Sequence, residues 1–554
     1  MAQVTFLPAD RSVEVPLGST VLEAARQAGV IIDSPCNGAV VCGKCAVRVV
    51  PEFLARVEQK GAHTLSENER ERGLVLACAA EITGDLVVEV PEGQERELKI
   101  TSHGESVAVA LAPFIAKEYL PEVGLTQVVA GDRVIAREEG DTTGQCYGVV
   151  IDIGTTTLVA ALVDLNTGED LGTASALNPQ SRHAQDVLSR IKIAAEGGLE
   201  ELRSGVVSEI NELIGAVASR SGVALELIYE VIYSGNTCML HLAAGVDPAP
   251  LGRYPYTPSL ECGSWIDAAA HGVSIAPGGV IYLPPIISAY VGADITAGLQ
   301  AVRLQDAVDT VLFVDIGTNG EMALVHGGKL WATSTAAGPA FEGMNIRFGM
   351  RAGEGAIERF ALVDGVVEVQ TIGATQAVGI CGSGLMDVVA ELVAYGVIGT
   401  NGKFVKPDAP GVPPALAERL VEREGKTVFL LTDAVWLTQK DVRQVQLAKG
   451  AIRAGIEFLL REAGVAASAL DRVLIAGSFG FHLTAHSLTT IGLLPPEADG
   501  RIDFVGNTAK SGGEAFLLNR HTRSEMVQLV KEIDVLELAQ YRDFDAVFVA
   551  ALSF

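Results

Sequence analysis

The sequence predicts two architectures in tandem: a small α+β unit over residues 1–92 and a duplicated α/β unit over residues 146–554. Three observations carry this. Short β-rich runs with a single helix fill the first 92 residues. From Gly148 onward, β-rich runs alternate with amphipathic helices, the texture of layered α/β structure. Within that second region one strand–loop–strand segment occurs twice, and a repeat of this kind outweighs any single motif. At 554 residues the chain exceeds one core, and its 49% apolar and 20% charged residues are an ordinary globular balance.

In the first unit, Val4-Thr5-Phe6-Leu7 and Ser12-Val13-Glu14-Val15 read as strands joined by a Pro-Ala-Asp-Arg turn. Thr20 then opens a helix over residues 21–28, which Gly29 closes. Residues 85–90 form the last strand. Residues 93–145 are charged and weakly patterned, and are expected to be a linker with a small subdomain and a helix near 108–118. In the second unit, Gly148-Val-Val-Ile-Asp152-Ile-Gly154-Thr155-Thr156-Thr157 reappears as Leu312-Phe-Val-Asp315-Ile-Gly317-Thr318-Asn319-Gly320. Each copy continues as a second strand, over 158–164 and 321–326. Val231-Ile-Tyr-Ser-Gly235-Asn236 closes the first half, and Val473-Leu-Ile-Ala-Gly477-Ser478-Phe479-Gly480 closes the second. The halves divide at about residues 308 and 309, and facing each other they would make a cleft lined by both loops.

The net charge of −27 argues against nucleic acid or an anionic membrane as partner. Met-Ala-Gln-Val-Thr-Phe has no basic stretch followed by an apolar core, and no run reaches the length of a membrane span. Of eight cysteines, four lie within the first 78 residues and four are scattered singly, which is not a secreted disulfide framework. A cytoplasmic protein of a reducing compartment is expected.

Cys36, Cys42 and Cys45 stand as C-x5-C-x2-C, with Cys78 well downstream. Asn37-Gly38-Ala39 and Gly43-Lys44 between them are small or flexible, as a loop needs when its amides turn inward to bond sulfides. Three thiolates on one loop and one remote suit a [2Fe–2S] cluster. Zinc is the alternative, but zinc ribbons pair two C-x2-C knuckles, and Cys78 closes an apolar strand over 74–78 instead. Cys146, Cys238, Cys262 and Cys381 have no partner at metal-ligand spacing and are expected to pack as small apolar residues.

The two Asp-Ile-Gly-Thr loops carry the second chemistry. A glycine after a buried strand lets the backbone turn, and the following amides and threonine hydroxyls can ring a phosphate. Asp152 or Asp315 at the strand end can hold Mg²⁺ through water or orient an attacking water. Gly154, Thr155, Thr156 and Thr157 form the first phosphate loop, and Gly317, Thr318, Asn319 and Gly320 the second. Asp315 with Thr318, Asn319 and Glu321 is expected nearest the γ-phosphate, which makes Asp152, Asp315 and Glu321 the candidate catalytic acids. Gly382, Ser383 and Gly384 open an apolar helix over 385–395. That segment lacks the third glycine of a dinucleotide fingerprint and reads as a hinge or interdomain helix start. Gly477, Ser478, Phe479 and Gly480 follow a buried strand and offer backbone against which a flat base could lie.

The cysteine spacing with the strand–strand–helix before it resembles the plant and adrenodoxin ferredoxins over about the first 90 residues, which implies a β-grasp domain. Residues 146–554 resemble the superfamily of sugar kinases, heat-shock chaperone ATPases and actin. That likeness implies ATP binding, with the first connecting helix after Gly382–Gly384 and the adenosine loop at 477–480. One family joins both parts, the reductive activators of corrinoid proteins, and further segments are similar to its signature. They are Gly140-Asp141-Thr142-Thr143 through Tyr147-Gly148, Gly379-Ile-Cys-Gly-Ser-Gly-Leu385, Asp441-Val-Arg-Gln-Val-Gln-Leu-Ala-Lys449 with Ile452-Arg453-Ala-Gly455, and Gly506-Asn507-Thr508-Ala509. The resemblance implies ATP-dependent transfer of one electron from a [2Fe–2S] cluster, returning Co(II) corrinoid to Co(I). It also implies a corrinoid (cobalamin-binding) protein of a methyltransferase system as partner, an upstream electron donor, and a homodimer. Three other readings stand beside it. A donor to a low-potential dehydratase is disfavoured by the four-cysteine unit, since dehydratase activators share a [4Fe–4S] cluster between subunits. A chaperone-like ATPase would carry the cluster as a structural part only. A plain sugar kinase leaves the cysteines unexplained.

Overall fold

The computed structural model describes residues 1–8, 10–28, 30, 32, 45–60, 65, 70, 72–90, 111–423, 425–477 and 483–554. The chain divides into two compact units, residues 1–97 with 179–196 and residues 98–178 with 197–554.

In the first unit, Ala2–Leu7 alternates buried and exposed side chains and pairs on both edges, antiparallel to Arg11–Val15 and parallel to Leu86–Glu89. Ala46–Val49 and Leu74–Leu76 complete a five-stranded sheet. The helix Val21–Gln27 starts at Thr20 because its hydroxyl accepts the Glu23 N–H while the Glu23 carboxylate accepts the Thr20 N–H. Val21, Leu22, Ala24 and Ala25 of that helix pack with Val4, Phe6, Val47 and Val88 in one core, which also contains Cys45 and Cys78. This is the expected small α+β domain. Cys78, expected to close a strand, lies in the turn just past Leu74–Leu76.

In the second unit, a three-stranded antiparallel sheet comes first: Ile115–Leu120, Leu125–Ala130 and Arg133–Glu139. The helix expected near 108–118 is therefore a strand from Ile115, and residues 101–110 lie outside those described. Pro113 and Pro121 bracket that strand, and tertiary pairing overrides the helical propensity of Ala, Lys and Glu between them. The sheet is tied to the body of the unit. Phe114 stacks on Trp265 at 4.4 Å, and the Lys117 ammonium and Tyr229 hydroxyl both donate to Glu138.

Two six-stranded sheets follow that match in five strands; the sixth, Ser264–Asp267, lies beyond the parallel strands in the first, whereas in the second Asp534–Val535 lies beside Lys329–Thr335. The first runs Asp170–Leu177, Thr157–Asp164, Tyr147–Ile153, Ile228–Gly235, Val280–Leu283, Ser264–Asp267. In the second, Lys329–Thr335, Gly320–His326 and Val311–Ile316 form the same antiparallel meander, and Arg472–Ala476 and Ile502–Gly506 continue parallel to it. In each half the Asp-Ile-Gly-Thr strand is central, paired with its own hairpin on one side and with the strand that closes the half on the other. The duplication in sequence is thus a duplication in topology.

The helices Ala293–Val302 and Thr508–Leu518 cross between the halves, and the core around them mixes Val150 and Ile232 of the first sheet with Phe313 and Leu474 of the second. Their approach leaves no room for side chains, since a Cβ at Gly512 would stand 1.8 Å from the Ala297 carbonyl oxygen. The connection out of the first half runs through Ala293–Val302. The helix opened by Gly382–Gly384, expected to be the first connector, packs instead within the second half against Ala356–Val363. No helix among the described residues is long and apolar enough to cross a membrane.

Candidate active site: a carboxylate cleft between repeated halves

Asp152 is the penultimate residue of the central strand of the first half, and Asp315 of that of the second. Asp315 pairs directly across the hairpin with Glu321, which sets two carboxylates side by side on one face of the sheet. A fourth acid, Asp294, sits in the first turn of Ala293–Val302, where its carboxylate accepts the Ile295 N–H at 2.9 Å. This helix can start so near the site only because residue 292 is glycine. A Cβ there would meet the Thr237 nitrogen at 2.5 Å and the Gly235 carbonyl at 2.7 Å.

All four acids are raised above the usual carboxylate range. Burial is the main cause at each, pushing Asp152 to about 6, Asp294 to about 7, Asp315 to about 8, and Glu321 well above the usual carboxylate range. Neighbouring charge adds to it: Asp152 acts on Asp294, Asp294 and Asp152 on Asp315, and Asp294 and Asp315 on Glu321. Asparagine side chains oppose the trend, Asn507 at Asp152 and Asn319 with Asn236 at Glu321. Asn507 donates to Asp152 at 2.8 Å, and Asn236 donates to Glu321 at 3.4 Å from the other half. Each also uses its side-chain oxygen as a helix N-cap, Asn236 on the Cys238 N–H and Asn507 on the Lys510 N–H.

The first Asp-Ile-Gly-Thr loop is pinned by Asn178, whose amide donates to the Gly154 carbonyl at 2.8 Å and whose N–H donates to the Thr156 carbonyl. Gly154 itself admits no side chain, since a Cβ would lie 2.6 Å from the Thr157 carbonyl oxygen. The second loop is one residue shorter between its last paired residues, Ile316 with Gly320 against Ile153 with Leu158, and is closed by the Gly317 N–H on the Asn319 carbonyl. Thr157 and Gly320 are the first residues of the outgoing strands, and Thr155, Thr156, Thr318 and Asn319 occupy the loops. Thr156 and Thr318 are brought together by Glu342, which accepts both hydroxyls.

Gly477 follows Arg472–Ala476 in the left-handed region, φ 129°, and a Cβ there would meet the Ile316 carbonyl at 2.7 Å. Ser478, Phe479 and Gly480 lie outside the described residues, as do Cys36 and Cys42. Gly382, Ser383 and Gly384 are buried at a helix start, and a Cβ at Gly382 would fall 1.7 Å from the Phe341 carbonyl oxygen. These glycines serve close packing behind the Glu342 turn. In the first unit, the Cys45 and Cys78 thiols stand 3.1 Å apart, both buried. Cys146, Cys238 and Cys381 are buried as expected, and burial pushes Cys146 and the partly exposed Cys262 up to about 12.

Fold and site together define a class: a ferredoxin domain joined to an actin-like ATPase fold. Family models divide the chain accordingly, with "2Fe-2S iron-sulfur cluster binding domain" over residues 4–83, "RACo middle region" over 147–307 and "C-terminal domain of RACo the ASKHA domain" over 309–554. Among curated relatives, the corrinoid activation enzyme RamQ of Eubacterium limosum is 34% identical over 404 residues, covering 71% of this chain and 68% of that protein. The [Co(II) methylated amine-specific corrinoid protein] reductase of Methanosarcina barkeri is 25% identical over 443 residues, covering 74% and 77%. Among solved structures, a reductive activator for corrinoid, iron-sulfur protein superposes with a TM-score of 0.73 at 31% identity, covering 100% of this chain and 98% of that one. The chain belongs to the family of reductive activators of corrinoid proteins.

Proposed function

We propose that this protein uses ATP to drive one electron from a [2Fe–2S] cluster onto the Co(II) corrinoid of a partner protein, giving Co(I). The observation that carries the reading is the cleft: two repeated threonine loops facing a set of four buried, raised acids, in one chain with a buried pair of thiols. Two relatives whose names describe corrinoid activation and corrinoid protein reduction support the choice of substrate.

The residues fit both groups. Cys45 and Cys78 converge in a core that is otherwise apolar, and with Cys36 and Cys42 they supply the four thiolates that such a cluster takes. When bound, the cluster supplies a single electron at a time. The acid set carries more negative charge than its surroundings offset, which suits a divalent cation. Among the described residues no three acidic, imidazole or thiol side chains converge closely enough to ligate a metal directly. Mg²⁺, which keeps several of its own waters, fits that spacing.

In this scheme Asp152 and Asp315 hold the hydrated Mg²⁺, and Thr155, Thr156 and Thr318 with the amides of Gly154, Thr157, Gly317, Asn319 and Gly320 take the phosphates. Glu321 and Asp294 orient the attacking water, and the backbone from Gly477 to Gly480 receives the adenine. ATP is needed because the transfer runs uphill. Each ~59 mV of unfavourable one-electron potential costs a factor of ten in equilibrium. Nucleotide can supply that only by binding two states of the cleft with different affinity. The test is anaerobic mixing of the dithionite-reduced protein with a Co(II) corrinoid protein of the same cell, followed by the Co(I) absorption band. Co(I) should form with Mg-ATP and not without it. Equal rates without ATP reject the coupling, and no Co(I) with any native corrinoid protein rejects the function.

A further inference from the structure

One carboxylate holds both phosphate loops at once. Glu342 accepts the Thr156 hydroxyl of the first-half loop at 2.6 Å and the Thr318 hydroxyl of the second-half loop at 2.5 Å. The first of these bonds joins the two halves, across 186 residues of chain. Both hydroxyls donate to a paired anion, which is what the oxygens of a terminal phosphate would ask of them.

The carboxylate is set there by backbone, not by a free-swinging loop. Pro339–Glu342 is a single tight turn between Gly338 and Gly343, both left-handed at φ 77° and 79°. A Cβ at Gly343 would meet the Met350 carbonyl at 2.5 Å, and the carbonyl just before Glu342 seats against Gly382 at the start of Gly382–Ala394. The same segment continues into Arg347, whose N–H donates to Asp441 at the start of Gln439–Ala463. Next comes Phe348, packed edge-on to Trp436 at 4.4 Å.

We propose that Glu342 is a specificity-determining residue of the nucleotide site, one that stands in for the γ-phosphate when the cleft is empty and yields both threonines only to a triphosphate. The inference rests on the ATP reading above. A γ-phosphate between Thr156 and Thr318 would lie at contact distance from the Glu342 carboxylate, and two anions so close repel too strongly to share the same donors. ADP brings no third phosphate, so it leaves the turn latched. Release of the turn is thereby tied to ATP rather than to nucleotide in general, and it carries Arg347 and Phe348 with it.

The test is calorimetric titration of the full chain with Mg-ADP and with the β,γ-imido analogue of ATP, for wild type, Glu342→Ala and Glu342→Gln. Removing the latch takes away a competitor, so Glu342→Ala should bind the imido analogue roughly ten-fold more tightly, with ADP affinity changed less than about two-fold. Glu342→Gln is neutral but still accepts one hydroxyl bond, and should fall between. Tryptophan emission supplies the second readout. The imido analogue, and not ADP, should shift it in wild type, the shift should vanish in Trp436→Phe, and Glu342→Ala should show it before any nucleotide is added. Triphosphate affinity that is unchanged or weaker in Glu342→Ala, with ADP affinity retained, overturns the latch. Wild type that binds neither nucleotide overturns the ATP reading instead.

Discussion

Asn507 performs two tasks with one amide, and substitution can separate them. Its oxygen caps Thr508–Leu518 through the Lys510 N–H at 3.0 Å, and its nitrogen donates to Asp152 at 2.8 Å. Loss of an N-cap costs about 1 kcal/mol at any pH. The second bond favours ionised Asp152, holding that carboxyl at about 6, below where burial alone would put it. Its contribution is therefore present above that value and is lost as pH falls through it. At pH 8 the bond is worth about 1.5–2.7 kcal/mol, the upper end set by the ~2.7 kcal/mol needed to protonate a group two units above its pKa. Asn507→Ala should then cost about 3 kcal/mol at pH 8 but only about 1 kcal/mol at pH 5. Asn507→Asp keeps the cap and sets a carboxylate against Asp152, so it should match wild type at pH 5 and fall well below it at pH 8. All three tryptophans, Trp265, Trp331 and Trp436, belong to the second unit, so their emission during urea unfolding follows that unit alone. A pH-independent loss in Asn507→Ala, or Asn507→Asp as stable as wild type at pH 8, would refute the argument.

Two further outcomes follow from the same geometry. Asp294→Asn removes a like charge from Asp315 and Glu321, which lowers both, so the acidic limb of the ATP hydrolysis profile should move to lower pH while turnover falls roughly 10²-fold. An unmoved limb would show that Asp294 is not electrostatically part of the site. Cys45→Ser and Cys78→Ser should each abolish the visible absorption and bring iron and acid-labile sulfide well below two per chain, with nucleotide binding by the second unit retained. Full iron content in either variant would remove that cysteine from the ligand set.

Residues that recur in the sequence were legible, and residues that only the fold brings together were not. Asp152 and Asp315 stand out because the strand and loop around them are repeated, and five strands of each sheet reproduce that repeat in the same order. Asn507 was visible within a signature segment but without a role, since its bond to Asp152 spans 355 residues. Asp294 was missed. It is a lone acid opening an alanine- and glycine-rich helix, and what brings it to the cleft is that this helix starts where Gly292 nests against Gly235 and Thr237. Its available signal was position, because the segment joining two facing halves has to pass the cleft. Glu342 was missed for the same reason, as an acid between two glycines that reads as an exposed turn until both threonines are seen on it. The helix after Gly382–Gly384 was misplaced because glycines at a helix start suit a connector and a tightly packed core helix equally well in sequence.

The two crossing helices explain how nucleotide could be felt beyond the cleft. Asp294 lies in the first turn of one, and Asn507 caps the first turn of the other, so each begins at the site. From there they run between the sheets and meet at Gly512, where the Ala297 carbonyl leaves no space for even a methyl group. Helices packed that closely cannot slide freely, since interiors of this density move between discrete arrangements rather than deform continuously. Any rotation of one half against the other must therefore shift Asp294 and Asn507 together relative to Asp152 and Glu321. Conversely, a ligand that fixes those four side chains selects one arrangement of the halves, by as much as its affinity for the two arrangements differs. The halves are duplicated in topology but not in chemistry: Glu321 and Glu342 both belong to the second, while the first contributes Asp152, Thr156 and Asn236. The site is complete only when the halves meet, and that is the arrangement a work-producing nucleotide clamp requires.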